Sequence, residues 1–504
     1  MTSAALNGAP EALAALAASR PALVWREIVA DTETPVGLAA KLMVEKRGDF
    51  LLESVEGGAI RGRYSLIGLD PDLVFRASGA AAEINRDWQS DRENFVPLAA
   101  DGLAELRTLA AQCRIDVPDG LPPALACLVG YFGYETIALV ESLPRAAGKG
   151  IGLPDMLFVR PTVLLVFDGL EDKLFVIAPV WAGGDAPEQA LERAAERIDE
   201  TIRALGSVPA NAEALQAHSE IAAEPQLSAE DYRAMVARAK DYIVAGDIFQ
   251  VVLAQRFTTP FALPPLQLYR ALRRINPSPF LYFLDLPGFA VVGSSPEILV
   301  RVRDGEVTIR PIAGTRPRGA NQAEDRANEA SLLADPKERA EHLMLLDLGR
   351  NDVGRVAAKG TVEVTDSFTV ERYSHVMHIV SNVVGQLDGR RDALDAVFAG
   401  FPAGTVSGAP KIRACEIIAE LEPEARGAYA GGVGYFAPDG SVDSCIVLRT
   451  AVVKDGTMHV QAGAGIVADS DPDYEQRECE AKAGALFAAA REAVRLALEP
   501  GFGQ

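Results

Sequence analysis

The chain has 504 residues, of which 49% are hydrophobic and 24% are charged, as is ordinary for a globular protein. Its 49 Lys and Arg against 70 Asp and Glu give a net charge of −21, so a nucleic acid partner, which needs clustered basic residues, is not expected. No apolar run reaches the roughly 18 residues of a transmembrane helix, and no membrane span is predicted. An anionic substrate would need a local cation or metal ion to offset the field of this chain.

The cysteine pattern indicates a reducing compartment. The number of cysteines is odd, they are widely spaced, and none forms a C-x-x-C motif. This pattern favours free thiols over a disulfide framework or a structural zinc site, and we expect a cytoplasmic protein. The cysteines are Cys113, Cys127, Cys415, Cys445 and Cys479.

The first predicted domain comprises residues 22–182 and is composed of mixed strands and loops. Residues 183–227 then change in composition to Ala, Glu, Gly and Pro, with a polar helix near 188–205, and we interpret them as a connector between domains. The apolar runs of the first domain are typical of strands and lie at 50–54, 64–68 and 162–167.

The second predicted domain, residues 228–495, opens with a helix start. Ser228 is an N-cap candidate with Asp231 three residues later, and Gly246 is a predicted C-terminal stop. Because its strands look like hairpin partners and do not alternate with helices, we predict an α+β fold in which antiparallel sheets pack as a sandwich with helices outside. The predicted strands are 249–257, 290–302, 306–312, 361–365 and 445–453, the last turning at Asp455 and Gly456 into 458–462.

Two later helices have matching starts, Asp335 before Pro336 and Asp471 before Pro472. Glu341 and Glu478 would each lie in the second turn of the helix that follows. Two carboxylates facing one cavity would suit Mg²⁺, which takes oxygen ligands and keeps open positions for water and substrate. Spacing alone equally describes two ordinary surface glutamates near helix N-termini, so both interpretations stay open here.

Glycine-rich segments are the next candidates, and each is interpreted as a tight turn that could expose backbone N–H groups to a ligand. None matches a dinucleotide-binding or P-loop motif, and individually each is weak. His375 and His378 would lie on opposite faces of a strand but on one face of a helix. The glycine-rich segments are 313–315, 402–405, 431–434 and 463–465.

Taken together, the motifs resemble the chorismate-utilising enzymes, and most closely the anthranilate-forming members of that family. The resemblance extends from about residue 25 to the C-terminus, and the motifs occur in the family's order. They are P-I-A-G-T-R at 311–316, A-E-H-L-M-L-L-D-L-G-R-N-D at 340–352, F-P-A-G-T-V-S-G-A-P-K at 401–411 and G-A-G-I-V at 463–467.

The resemblance implies a role for individual residues of this chain. Glu341 and Glu478 would bind Mg²⁺, which in turn binds the ring carboxylate of chorismate. Glu297 would be the general acid that protonates the departing C4 hydroxyl, and His378 would act in pyruvate elimination and aromatisation. Thr405 would complete the catalytic residues. The implied substrate contacts are Gly314, Thr315, Tyr429, Arg449, Gly463, Ala464 and Gly465.

Two positions separate this chain from its sibling enzymes, as the resemblance implies. Ala313 stands where aminodeoxychorismate synthases carry a nucleophilic Lys, and Gln250 stands where isochorismate and salicylate synthases carry a Lys base. Ammonia would therefore attack chorismate directly, giving anthranilate and pyruvate in the first step of tryptophan biosynthesis. A sibling enzyme with another nucleophile, and a silent tryptophan-sensing subunit, are the alternatives.

The resemblance also implies regulation and a partner. Ser54, Pro279, Phe280 and Leu281 match the family's site for feedback inhibition by L-tryptophan, although Phe280 and Leu281 depart from its usual Tyr and Met. A separate glutamine amidotransferase subunit would supply the ammonia, in a heterotetramer of two large and two small subunits. The small N-terminal domain would contribute to the tryptophan site, and the larger domain would bind chorismate.

Overall fold

The computed structural model describes residues 6–56, 60–183, 185–207, 221–373 and 376–498. The helices are α1 (Ala9–Ala17), α2 (Pro35–Leu42), α3 (Gly102–Gln112), α4 (Pro187–Leu205), α5 (Ala229–Val244), α6 (Pro265–Ile275), α7 (Gln322–Ala334), α8 (Pro336–Gly354), α9 (Ala393–Gly400), α10 (Lys411–Leu421) and α11 (Pro472–Ala497). Short 3₁₀ helices span Tyr134–Leu139 and Gly404–Val406.

The strands of the N-terminal half are β1 (Ala22–Val29), β2 (Asp49–Glu56), β3 (Ile60–Leu69), β4 (Leu73–Ser78), β5 (Ala81–Asn85), β6 (Val96–Pro97), β7 (Leu128–Phe132), β8 (Met156–Arg160), β9 (Val163–Asp168), β10 (Lys173–Val180) and β11 (Glu224–Pro225). The C-terminal half adds β12 (Gln250–Pro260), β13 (Phe280–Leu286), β14 (Phe289–Ser295), β15 (Ile298–Arg303), β16 (Glu306–Ile309), β17 (Ile312–Pro317), β18 (Glu363–Arg372) and β19 (Val376–Gln386). The last strands are β20 (Gly408–Ala409), β21 (Gly432–Phe436), β22 (Val442–Ile446), β23 (Thr450–Lys454) and β24 (Thr457–Ile466).

These strands form two antiparallel sheets of twelve strands each. The first sheet has the order β1-β10-β9-β3-β2-β13-β14-β23-β24-β12-β11, with β20 paired to β12. The second has the order β17-β19-β16-β15-β22-β21-β7-β8-β4-β5-β6, with β18 paired to β19. The predicted α+β class with antiparallel sheets is confirmed.

Both sheets run continuously through the two predicted domains. In the first sheet β2 pairs with β13, so that Ser54 lies opposite Phe280. In the second sheet β7 pairs with β21. The two halves of the chain therefore share their sheets, and the boundaries at 182 and 228 stay a prediction. The polar helix expected in the connector is present as α4, which packs on β10.

The hydrophobic core has two layers, because the first sheet is buried on both faces. Phe50 belongs to the cluster that spans the two sheets, whereas its neighbour Leu51 belongs to a second cluster. This alternation follows from the two-residue period of a strand. The second cluster packs residues of α6 and α11, among them Leu272 and Phe487, onto the outer face of the sheet.

The predicted helix starts are confirmed at each position. The Ser228 hydroxyl accepts the N–H of Asp231 at 3.1 Å, and α5 ends two residues before Gly246, which has a φ of 84°. Asp335 and Asp471 cap α8 and α11 through their side chains, each followed by proline. The predicted hairpin at 455–456 is also present, between β23 and β24.

Two of the predicted strands are wrong in a way that matters for the site. Residues 290–302 form β14 and β15, and residues 445–453 form β22 and β23, with each pair divided between the two sheets. Apolar side chains continue through both breaks, so hydrophobic pattern alone cannot show where the chain crosses between sheets. Glu297 lies at the first crossing and Arg449 at the second.

Two further strand predictions differ in their bounds. The run 306–312 divides into β16 and the start of β17, and the run 361–365 is the beginning of the longer β18.

No helix within the described ranges combines the length and apolar character needed to cross a bilayer. The five cysteines are free and buried.

Candidate active site

Glu297 is a buried carboxyl group held between the sheets. It follows Ser295 and Pro296, and the Thr405 hydroxyl donates a hydrogen bond to its Oε1 at 3.1 Å. Burial raises the pKa of Glu297 to about 8, and the hydrogen bond from Thr405 offsets part of that rise. The side chain is therefore largely protonated at neutral pH and is able to donate a proton.

His378 lies on β19 beside β17, with its ring nitrogen bound to two predicted substrate-contact residues. Nδ1 is 2.9 Å from the Gly314 carbonyl oxygen and 3.1 Å from the Thr315 hydroxyl. A carbonyl oxygen only accepts, so these contacts assign the proton to Nδ1 and leave the lone pair on Nε2. Burial lowers the pKa of His378, and the charge of Arg449 lowers it further. His375 lies outside the described residues.

Arg449 is a guanidinium group that has no counter-ion in the part of the chain that the structure describes. It occupies the crossing between β22 and β23 with a φ of 47°, a left-handed conformation that is uncommon for a non-glycine residue. Among the described residues it forms no ion pair and no side-chain hydrogen bond. Burial lowers its pKa. A cation held in this way is suited to bind an incoming carboxylate.

The glycine segments 313–315, 431–434 and 463–465 were expected as turns, and this expectation is wrong. Gly314 lies in β17 at a bulge with a φ of 71°, and Gly463 and Gly465 lie inside β24. Gly432 and Gly434 belong to β21. Glycine is found inside strands where another group approaches closely. Only 402–405 is a turn, which contains the start of the 3₁₀ helix Gly404–Val406.

The close approaches at these glycines identify neighbouring groups of the site. A side chain at Gly463 would meet the Tyr429 hydroxyl at 2.9 Å, and one at Gly465 would meet the Gln250 amide nitrogen at 2.6 Å. Ala464, between them, is fully buried and faces away from this space. The side-chain amide oxygen of Gln250 (Oε1) is buried without a hydrogen-bond partner among the described residues.

Glu341 and Glu478 approach each other from the second turns of α8 and α11. Burial raises the pKa of Glu341, and the negative charges of Glu338 and Glu478 add to the rise. Within the part of the chain that is described, Glu341 has neither a hydrogen bond nor an ion pair. A half-buried carboxylate without a partner fits a bound cation.

No cluster of three or more His, Cys, Asp or Glu side chains with metal-binding geometry occurs among the described residues. The protein would therefore supply two carboxylates and leave the other positions to water and substrate, as Mg²⁺ sites often do. The residues present fit such an ion.

Lys482 was missed by the sequence reasoning. Its ammonium group lies 2.7 Å from Glu478 Oε1 and donates to the Gly463 carbonyl at 2.9 Å. It therefore connects the carboxylate pair to the glycine strand. Its position one helical turn after Glu478 was the available signal, because residues four apart on a helix are neighbours.

Several of the predicted catalytic and substrate-binding residues contact one another although they are distant in sequence: Thr405 contacts Glu297, and His378 contacts Gly314 and Thr315. The Tyr373 ring packs edge-on against His378 with centroids 5.5 Å apart. Burial raises the pKa of Tyr373, Glu371 adds to the rise through its charge and a hydrogen bond, and Glu297 contributes less. Glu338, one turn before Glu341, approaches Gly314. The site lies where both sheet crossings, β17, β19, β24 and the starts of α8 and α11 converge.

The predicted effector residues border a separate cavity. Ser54, Phe280 and Leu281 line a space of about 310 Å³ between the two sheets. Pro279 lines an adjoining cavity of about 520 Å³, which Ser54 and Phe280 also border and which extends to Tyr373. Asp443 also lines the smaller cavity, and its buried Oδ1 lacks a hydrogen-bond partner among the described residues, while Arg301 donates to its Oδ2 at 3.1 Å.

Residues 50–488 match the family described as chorismate binding enzyme. Anthranilate synthase component 1 of Cereibacter sphaeroides is 54% identical over 486 residues, which cover 95% of this chain and 97% of that protein. Component 1 of Pseudomonas aeruginosa is 48% identical, covering 92% of this chain and 94% of that protein.

Solved structures agree with this relationship. Anthranilate synthase component I from Streptococcus pneumoniae TIGR4 superposes with a TM-score of 0.76 at 34% identity, covering 91% of this chain and 99% of that one. The menaquinone-specific isochorismate synthase of Escherichia coli has a TM-score of 0.69 at 20% identity, covering 95% and 99%, and shares the fold. The chain belongs to the chorismate binding enzyme family and, within it, to the anthranilate synthase component 1 group.

Proposed function

We propose that this chain converts chorismate and ammonia to anthranilate and pyruvate, as the large subunit of an anthranilate synthase. The observation that carries the proposal is the unpaired, largely buried Arg449 guanidinium beside His378, within the same site as a carboxyl group that is protonated at neutral pH. A carboxylate receptor next to a general acid is what removal of a hydroxyl group from a dianionic substrate requires.

The first half of the reaction is the addition of ammonia at C2. The nitrogen lone pair forms the C–N bond, both ring double bonds shift, the C4–O bond breaks, and the new ammonium group releases one proton. Glu297 donates its proton to the departing C4 hydroxyl, which leaves as water. The Thr405 hydrogen bond stabilises the carboxylate that remains, since it lowers the pKa of Glu297.

The second half is the elimination of pyruvate. A base removes the proton from C2, the C3–O bond to the enolpyruvyl group breaks, the ring becomes aromatic, and the departing enolate takes up a proton to give pyruvate. The Nε2 lone pair of neutral His378 is suited to this role because the Gly314 carbonyl holds the proton on Nδ1. Chorismate and ammonia thus become anthranilate, pyruvate and water, with all atoms balanced.

We propose that Glu341 and Glu478 hold Mg²⁺. Bound there, the ion would neutralise negative charge on the substrate's ring carboxylate. Lys482, at 2.7 Å from Glu478, adds a second positive charge on the same side of the site. These cations would offset the repulsion between the net charge of −21 and an anionic substrate.

We propose that a separate glutamine amidotransferase component supplies the ammonia, since the related proteins are each designated component 1. Ala313 lacks a nucleophilic atom and Gln250 is not a base, so neither a covalent intermediate nor an activated water is provided at these positions. Both features favour ammonia as the nucleophile over the sibling reactions.

Mass analysis of the product tests this function. The chain is incubated with chorismate, Mg²⁺ and ¹⁵N-ammonium chloride, and the products are separated and weighed. Anthranilate carrying one ¹⁵N atom is the expected product. Isochorismate, salicylate or aminodeoxychorismate as the main product would contradict it, and unreacted chorismate would favour the silent-subunit alternative.

We further propose feedback inhibition by L-tryptophan at the cavity of about 310 Å³, a volume in the range of small-ligand sites. Its walls combine apolar groups, among them Phe280 and Leu281, with Asp443, whose Oδ1 has no hydrogen-bond partner among the described residues. That oxygen is suited to accept a hydrogen bond from the ammonium group of an amino acid.

Substitution of Ser54 tests the effector site. Ser54→Phe should raise the tryptophan concentration for half-inhibition by about tenfold or more, because a phenyl ring would occupy the cavity, and Ser54→Ala should raise it less. Turnover without tryptophan should change less than about twofold. Inhibition curves are measured beside Ser90→Phe and Ser90→Ala, on an exposed turn. An unchanged curve for Ser54→Phe would remove Ser54 from the site.

A further inference from the structure

Arg426 is a buried arginine outside the residues that the proposed reaction uses. It lies five residues after α10 and is 4% exposed. Its Nε and Nη2 donate to the two carboxylate oxygens of Glu422 at 2.8 and 2.6 Å. Burial alone lowers the pKa of Arg426, but Glu422 raises it above its ordinary value, so the guanidinium is charged.

A buried ion pair of this kind contributes little net stability, because the desolvation of two charges offsets their attraction. The position of the pair is more informative than its energy. The remaining Arg426 donors bind backbone carbonyls of two walls of the site: Nη1 donates to Val406 at 2.7 Å and Nη2 to Val252 at 2.7 Å.

Each of these carbonyls is adjacent to a group of the site. Val406 follows Thr405, whose hydroxyl contacts Glu297. Val252 lies on β12 directly opposite Gly465 on β24. The single guanidinium group therefore connects the turn that carries Thr405 to the strand that lies behind the glycine segment.

Arg426 also contacts a third part of the site, the side chain of Tyr429. The Arg426 guanidinium lies 5.5 Å from the centre of the Tyr429 ring, within the range of a cation–π contact. The backbone between them is held as well, since Glu135 accepts the N–H groups of Arg426 and Gly427 at 2.8 and 3.0 Å. The Tyr429 hydroxyl points at Gly463.

We propose that Arg426 is a positioning residue that sets the Tyr429 ring relative to the Thr405 turn and β12. The inference rests on the proposed function in one respect, that Tyr429 contacts the substrate. Lysine cannot replace this group, because its ammonium has three donors around one atom, whereas the planar guanidinium reaches Glu422, Val406 and Val252 together.

A double-mutant cycle tests this role. Arg426→Lys should lower kcat/KM for chorismate by about 30-fold in the wild-type background but only by about 3-fold when Tyr429 is already Phe, because Arg426 acts by placing the Tyr429 hydroxyl, which the Phe variant lacks. Arg273→Lys is the matched control, since Arg273 makes the same kind of bidentate pair. Its Nε and Nη2 donate to the two carboxylate oxygens of buried Glu53 at 2.7 and 2.8 Å. Its effect should be small and equal in both backgrounds.

Equal losses for Arg426→Lys in the two backgrounds would overturn the proposal. Glu422→Gln, carried through the same cycle, provides the test if Arg426→Lys does not fold. Amide hydrogen exchange gives a readout independent of activity: exchange should accelerate at 404–407 and 427–430 in Arg426→Lys and not in Arg273→Lys. Unchanged exchange there would also overturn it, whereas absence of anthranilate from the wild type would contradict only the proposed function.

Discussion

Glu297→Gln should lower kcat for anthranilate formation by about 10²–10⁴-fold while the chain remains folded, as is usual when a general acid is removed. The amide fills the same space but cannot release a proton to the C4 hydroxyl. The rate is measured by anthranilate fluorescence at saturating chorismate and Mg²⁺, and folding by circular dichroism. Wild-type turnover in this variant would exclude Glu297 as the acid.

The pH dependence gives the same assignment a second test. Glu297 acts in its protonated form, so kcat/KM of the wild type should fall as pH rises through about 8, the pKa of Glu297 in the folded chain. The series is run at a fixed concentration of free ammonia, because ammonium releases more ammonia as pH rises.

Thr405→Val removes the hydrogen bond that lowers the pKa of Glu297, so the same fall in kcat/KM should move to higher pH. If kcat/KM of this variant fell at the same pH as in the wild type, the coupling between Thr405 and Glu297 would be contradicted.

Glu341→Gln should reduce turnover by at least about 100-fold without unfolding the chain, because it removes one of two carboxylates for the metal ion. The carboxylate has no partner within the described residues, so little native structure depends on its charge. The measurement is anthranilate formation over a series of Mg²⁺ concentrations, with thermal unfolding followed in parallel.

Glu480→Gln is the matched control for this change. Glu480 lies on the exposed side of α11, two residues after Glu478. Its substitution should leave both turnover and the Mg²⁺ dependence as in the wild type. If Glu341→Gln and Glu480→Gln behaved alike, the assignment of Glu341 to the metal would be wrong.

The helix starts could be predicted because a cap is a local feature of sequence. Ser228, Asp335 and Asp471 each bind backbone N–H groups within three residues of themselves, so no knowledge of distant contacts is needed. The hairpin at 455–456 depends equally on two adjacent residues.

The two sheet crossings could not be predicted, for a physical reason. A strand buried on both faces has a continuous apolar pattern, and so does a strand that leaves one sheet and enters another. The residues that flank Glu297 and Arg449 on either side are apolar or small. Which sheet each half joins depends on partners more than 100 residues away, such as Ser444 and Asp443 beside β15.

The candidate site was found from motifs, whereas its supporting contacts needed the fold. Glu341, Glu297 and Arg449 were each named from the resemblance, but Lys482 and Arg426 were not, since their roles depend on what lies next to them. The glycines were predicted to lie in turns that a ligand could approach; three of the four segments lie in or beside strands, and the approach of a ligand stays a prediction. Their close neighbours, the Tyr429 hydroxyl and the Gln250 amide, come from other strands and loops.

The most direct test of the central claim is anthranilate fluorescence from the purified chain with chorismate, Mg²⁺ and ammonium, with and without EDTA, at a pH no higher than the pKa of about 8 of Glu297. We expect anthranilate without any partner protein, and loss of the signal when EDTA removes the metal, restored by added Mg²⁺. A chain that leaves chorismate unchanged under these conditions, or that forms anthranilate equally well in EDTA, would contradict the account.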